Sequence, residues 1–179
     1  MGVGQLEATW KGRILRSRIL VEEPMIEYNY DVQKQFGVLM DQLVQLNIKQ
    51  RENYSGLADG FSHLDWARDW CTIHCDMGRR SGKTSWVKHT AKKGDLIVTP
   101  IWDLAERQYP DWLDNRKGNK DHPTVTTARC LKTDSKGKEF NTIFVEEPYL
   151  VFHDMSVEEF YQLLATRKDQ TFIMLGSQR

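Results

Sequence analysis

From Cys71 onward the sequence alternates short β-rich runs with stretches of helical spacing, and this alternation restricts the fold more than any other feature. "WCTIHC" (70–75), "DLIVTP" (95–100), "VTTARCL" (125–131), "FNTIFV" (140–145) and "TFIML" (171–175) read as strands. Between them a helix is expected from Thr84 to about Lys93, stopped by Gly94, and another in "IWDLAERQYPDWL", limited by Pro110. A third runs through "VEEFYQLLATR", where Ser156 is placed to cap it. Residues 114–124, "DNRKGNKDHPT", read as a charged loop, and "DSKGK" as a turn. Strands that alternate with helices predict an α/β fold with a mainly parallel sheet flanked by helices.

The part before Cys71 has a different pattern. "ILRSRILV" (14–21) reads as a strand ended by Pro24. From Asp31, a plausible N-cap, to about Gln50, Val32, Phe36, Leu39, Met40, Leu43, Val44 and Leu46 fall at helical spacing and predict an amphipathic helix. "NYSGLADG" is a connector, and Ser62 with Asp65 three residues on starts a short helix. The division expected is an N-terminal extension, residues 1–60, packed on a core of residues 61–179.

Lys+Arg and Asp+Glu both number 25, so no net charge draws the chain to a polyanion. The charges are nevertheless unevenly spread. Arg79, Arg80, Lys83, Lys88, Lys92 and Lys93 crowd one stretch; Arg116, Lys117, Lys120, Arg129, Lys132, Lys136 and Lys138 crowd another. That second stretch suits a nucleic-acid backbone or, equally, a solvated loop. An odd count of three cysteines does not make a disulfide framework. With no apolar run of membrane-spanning length and no signal-peptide core, a cytoplasmic protein without a membrane role is expected.

The chemistry concentrates in "CDMGRRSGKTSW" (75–86), between an expected strand and an expected helix. A phosphate-binding loop needs backbone N–H groups at a helix N-terminus, small residues for close approach, a lysine for the outer phosphates and a hydroxyl for Mg²⁺. Gly82, Lys83 and Thr84 supply that ending, followed by Ser85; Gly78 stands one position later than the usual first glycine, with Arg79, Arg80 and Ser81 between. A basic helix start on a surface turn is the other reading of this segment. Downstream, the apolar run Ile143, Phe144, Val145 ends in Glu146 and Glu147, which would place one carboxylate near a Mg²⁺ shell and the next where water could be oriented. An exposed acidic turn would look the same, and "LVEEP" recurs at 20–24. The third piece is the strand that ends in Gly176, Ser177 and Gln178. All three pieces fall at the C-terminal ends of expected strands, where open α/β sheets bind ligands.

The variant loop G-R-R-S-G-K-T, the strand closing in Glu146-Glu147 and the later G-S-Q resemble the additional-strand, catalytic-glutamate division of P-loop NTPases. Within it they most resemble the ATPase domain of viral large terminase subunits, the DNA-packaging motors. The likeness spans roughly residues 70–179. It implies a RecA-like core, ATP and Mg²⁺ as ligands, and hydrolysis coupled to translocation or remodelling of nucleic acid, in the first instance double-stranded DNA in an infected host cell. It implies that Lys83 and Arg79 or Arg80 contact phosphates, that Thr84 and Glu146 serve the metal, and that Glu147 is the catalytic carboxylate. Glu146 departs from the aspartate usual there, and no adenine-recognising glutamine motif precedes the loop. A processive motor built on this chain would need a homo-oligomer or a partner protein. Two other functions stay open on the residues: a small-molecule kinase, and a non-enzymatic nucleotide-binding interaction or inhibitor protein.

Other residues carry less. Alternation along a strand would send Cys71 and Cys75 to one face and His74 to the other, which disfavours zinc. Trp66 and Trp70 could stack on a base, with core packing the preferred role. His122 and the pair His153-Asp154 read as surface residues.

Overall fold

A computed structural model describes residues 30–78, 80–113 and 121–176. The strand expected at 14–21, Arg79, residues 114–120 of the charged loop, and Ser177 and Gln178 lie outside these described residues.

The chain enters as helix α1 (Tyr30–Asn53), followed by a 3-10 turn (Ser55–Gly60) and helix α2 (His63–Trp70). Five strands follow: β1 (Thr72–Cys75), β2 (Leu96–Thr99), β3 (Thr124–Thr127), β4 (Thr142–Glu146) and β5 (Thr171–Leu175). The intervening helices are α3 (Lys83–Thr90), α4 (Trp102–Gln108), α5 (Pro110–Leu113), α6 (Leu131–Asp134), α7 (Pro148–Asp154) and α8 (Val157–Leu164). All strand pairings are parallel and the order across the sheet is β1-β5-β4-β2-β3. The α/β reading therefore holds, with a sheet that is parallel throughout its described strands.

Parallel strands need crossovers that cover both faces, so the three inner strands β5, β4 and β2 are apolar on both sides. Leu96, Val98, Ile143, Val145, Phe172 and Met174 face a layer built from α2, α7 and α8. Ile73, Cys75, Ile97, Phe144, Ile173 and Leu175 face the layer of α1, α3 and α4. Each such aliphatic or aromatic side chain taken fully from water contributes about 1.5–3 kcal/mol.

Several local signals act as expected. The Ser62 hydroxyl accepts from Asp65 N–H, and the Ser156 hydroxyl accepts from Glu159 N–H, closing the starts of α2 and α8. Pro110 ends one helix and begins the next, because it cannot donate but tolerates a first turn. The helix expected to reach Lys93 ends at Thr90. Asp95, buried in the loop, takes the N–H of Lys92 on one carboxylate oxygen and that of Thr142 on the other, which pulls the chain out of the helix early.

Three expectations need correction. The apolar set of α1 divides: Phe36 and Met40 are buried, whereas Val32, Leu39 and Leu46 are exposed. The buried side is fixed by α3, where Trp86 packs edge-on to Phe36 and donates its indole N–H to Asp41. Cys71 and Cys75 do not share a face, since Cys71 closes α2 instead of opening β1 and its thiol sits in the opposite layer from Cys75. Finally, the basic stretch 116–138 is no single loop, because β3 and α6 interrupt it. Trp66 and Trp70 stack on each other at 5.3 Å, with Trp66 buried and its indole N–H on the Lys168 carbonyl, so packing accounts for them.

Among the described residues no helix is long and apolar enough to cross a membrane, and no group of three or more His, Cys, Asp or Glu could hold a metal ion.

Candidate phosphate-binding site

The C-terminal ends of β1, β4 and β5 converge on one cleft of about 940 Å³, lined by the loop 80–85 with Gly78, and by Glu147, Gly176 and side chains of α4 and α7. The loop leaves β1 at Cys75 and reaches α3 through two left-handed residues, Arg80 (φ 65°) and Gly82 (φ 95°). Arg80 is exposed at the cleft, and a left-handed backbone costs an arginine about 1–2 kcal/mol. Gly82 is the N-cap of α3, and a second feature besides its left-handed backbone favours glycine there. A Cβ there would stand 3.0 Å from the Cα of Gln33, so α1 buttresses the loop through backbone contact. Gly78 has open space around it.

Lys83 folds back over the turn that precedes it. Its ammonium donates to the Met77 carbonyl at 2.7 Å and the Gly78 carbonyl at 3.0 Å, leaving one of three donors for an anion. The Ser81 hydroxyl also donates to the Met77 carbonyl, at 3.3 Å. Ser85, in the first turn of α3, lines the same cleft. The positive end of the α3 dipole and the Lys83 charge both favour negative charge there.

The two acids stand together at the end of β4, which β5 separates from β1. Thr84 donates its hydroxyl to Glu146 Oε1 at 2.9 Å across 62 residues of sequence. Tyr109 donates to the same oxygen at 2.7 Å, and Gln108 Nε2 donates to the Thr84 hydroxyl oxygen at 3.3 Å. Glu146 is 4% exposed. Burial pushes its carboxyl up from the ordinary value, the bonds from Tyr109 and Thr84 pull it back, adjacent Glu147 adds to the rise and Lys83 opposes it. Burial likewise raises the Tyr109 phenol, reinforced by Glu146. The other carboxylate oxygen, Glu146 Oε2, is buried with no partner among the described residues.

Glu147 caps α7 in a left-handed conformation (φ 49°), just before Pro148. Its N–H is tied to the Leu175 carbonyl at 2.9 Å, and its carboxylate lies against Gly176, where a Cβ would come within 2.9 Å of Oε2. A strained, half-buried carboxylate aimed into a cleft is a candidate for chemistry. The structure thus brings together Gly78, Arg80, Ser81, Gly82, Lys83, Thr84, Ser85, Glu146, Glu147 and Gly176. Arg129, Asp154 and His153 line the far side, where Arg129 donates to Asp154 at 2.9 Å. By contrast, Lys132, Lys136 and Lys138 line a separate hollow with Leu163 and Thr166, apart from the cleft.

Sequence reasoning missed Tyr109, Gln108 and Gln33. No local signal marks them, since they reach the site from outside the loop and the acidic strand: Gln108 and Tyr109 from the end of α4, Gln33 from α1. The helical α7 was also missed, although Pro148 at its first position is a legible start.

The residues fit a magnesium–phosphate ligand. Mg²⁺ binds through one or two oxygen ligands plus substrate phosphates, and keeps several waters. Thr84 offers an oxygen whose proton is already accepted by Glu146, and the unpartnered Glu146 Oε2 is an acceptor suited to a metal-bound water. No protein-family model matches this chain, and no curated protein matches it.

Proposed function

We propose that the chain binds ATP with Mg²⁺ in this cleft and hydrolyses it, as a RecA-like P-loop ATPase acting on nucleic acid in the manner of a terminase motor domain. The observation that carries the reading is the 2.9 Å bond between Thr84 at the head of α3 and Glu146 at the end of β4, with Glu147 one residue further on. The order of the sheet also supports it, because β5 is inserted between the strand that leads to the loop and the strand that ends in the acids.

On this reading the loop amides and Lys83 hold the β- and γ-phosphates, and Arg80, exposed at the cleft, is available to the γ-phosphate. Thr84 and Glu146 would hold the metal, which neutralises charge on the phosphate oxygens when bound. Glu147 orients a water for in-line attack: the water oxygen bonds to the γ-phosphorus, the bond to the β-phosphate oxygen breaks, and the water proton passes toward the Glu147 carboxylate. Each residue acts by fixed placement, which suits phosphoryl transfer, where positioning and charge stabilisation dominate.

Phosphate release from ATP, followed with and without double-stranded DNA, tests the reading. Glu147→Gln should bind ATP as wild type does while turnover falls at least about a hundredfold, the scale of one catalytic base. Lys83→Ala should lose nucleotide affinity itself. Persistent turnover in the first variant, or unchanged affinity in the second, refutes the assignment. Phosphate appearing on an added small-molecule acceptor instead of in water would make the chain a kinase, and tight ATP binding without turnover would make it a binding protein.

A further inference from the structure

Around the Thr84 hydroxyl, acceptors outnumber donors. A hydroxyl has one proton and two lone pairs. The Thr84 proton goes to Glu146 Oε1 and one lone pair takes the Gln108 amide N–H, which leaves the second lone pair. Glu146 Oε2 and Gln108 Oε1 are both buried with no donor among the described residues, and each is bonded to the carbon that carries the atom engaging Thr84. Lys83, the nearest cation of the loop, spends two of its donors on the Met77 and Gly78 carbonyls. Three oxygen acceptors left in one place, with no donor bonded to them among the described residues, match a hydrated cation whose waters supply the missing protons.

We propose that Tyr109 and Gln108 are positioning residues for this metal site: Tyr109 fixes the Glu146 carboxylate, and Gln108 orients the Thr84 hydroxyl and accepts from a metal-bound water. The inference rests on the nucleotide-binding reading above and goes beyond it, because neither residue belongs to the phosphate loop or to the acidic strand. A glutamate carries its carboxylate one methylene farther from the backbone than an aspartate and has one more torsion to hold. The Tyr109 hydroxyl, 2.7 Å from Oε1 on a ring that is 2% exposed, removes that freedom. The ring itself is held by stacking on Trp112 at 5.1 Å, so the hydroxyl can be removed while its support remains.

Binding of Mn²⁺ in the presence of ADP, measured by electron paramagnetic resonance on the whole chain, tests the proposal. ADP affinity without metal serves as the reference. Tyr109→Phe should weaken Mn²⁺ about tenfold or more, the usual effect of losing a group that orients a metal ligand, with metal-free ADP affinity unchanged. Gln108→Met, which keeps the side-chain length without the amide, should weaken Mn²⁺ severalfold while the melting temperature holds. Glu146→Asp leaves the Tyr109 hydroxyl without its acceptor, so adding Tyr109→Phe to it should restore part of the lost thermal stability. Tyr109→Phe and Gln108→Met that both retain wild-type Mn²⁺ affinity would overturn the proposal and leave the two residues as packing alone. Wild-type protein that binds ADP normally without enhanced Mn²⁺ uptake would overturn it too, while the nucleotide reading stands. Failure of the wild type to bind ADP at all would overturn both.

Discussion

The two glycines of the loop give a sharp test, because the structure assigns them different work. Alanine at position 82 must adopt φ 95°, a left-handed conformation that costs a non-glycine residue about 1–2 kcal/mol. Its methyl would also stand 3.0 Å from both Cα and Cβ of Gln33, and since Cα belongs to the α1 backbone, the helix itself has to move. Overpacking of that kind costs about 1–3 kcal/mol. Together the two effects make Gly82→Ala less stable by roughly 2–5 kcal/mol, or a fall of roughly 4–20 °C in melting temperature for a chain of this size. Gly78→Ala meets no atom within 4 Å and has no left-handed backbone to disturb. It should melt at or slightly above the wild-type temperature, through the loss of about 0.4–1 kcal/mol of unfolded-state freedom. If the loop holds phosphates as proposed, the methyl would take up space in the open cleft they would occupy, so ATP affinity should fall about tenfold, close to 1.4 kcal/mol. Calorimetry on both variants and titration with a fluorescent ATP analogue check these outcomes. An unchanged melting temperature for Gly82→Ala refutes the contact between loop and α1. Unchanged nucleotide affinity for a stable Gly78→Ala refutes phosphate approach at that position.

Arg51 fastens α1 to the entry of β5, donating to the Gln170 carbonyl at 2.7 Å and to the Thr171 hydroxyl at 2.9 Å. Arg51→Leu should destabilise the fold by about 1.5–3 kcal/mol in a urea melt, since charge-assisted bonds are lost and their acceptors, on Gln170 and Thr171, stay buried. Thiol labelling of the native chain should modify Cys130, which is exposed, and spare Cys71 and Cys75, whose burial both blocks access and pushes their thiols up. In denaturant all three should react; fast native labelling of Cys71 or Cys75 would contradict the layer assignment.

What could be read in advance follows the range of the forces involved. Ser62, Ser156 and Pro110 act on backbone groups within a few residues, so their helix boundaries were legible locally. The helix after Gly82 was legible at its start for the same reason. It was misjudged at its end because Asp95 competes for the Lys92 N–H while also bonding Thr142, a partner 47 residues away. Cys71 was assigned to the wrong face because a period of two applies only inside a strand, and β1 begins one residue later.

By itself, then, the sequence determined the alternation of parallel strands and helices, the loop between β1 and α3, and the acids that close β4, because these depend on local periodicity and on the chemistry of adjacent residues. The tertiary structure alone decided the rest. Strand order is set by pairing between distant segments: β2 lies beside β4, which brings the end of α4 over Glu146 and makes Tyr109 and Gln108 part of the site. The packing of α3 chose which side of α1 is buried and set Gln33 against Gly82. Those contacts join residues dozens of positions apart, and no short stretch of chain carries the information that specifies them.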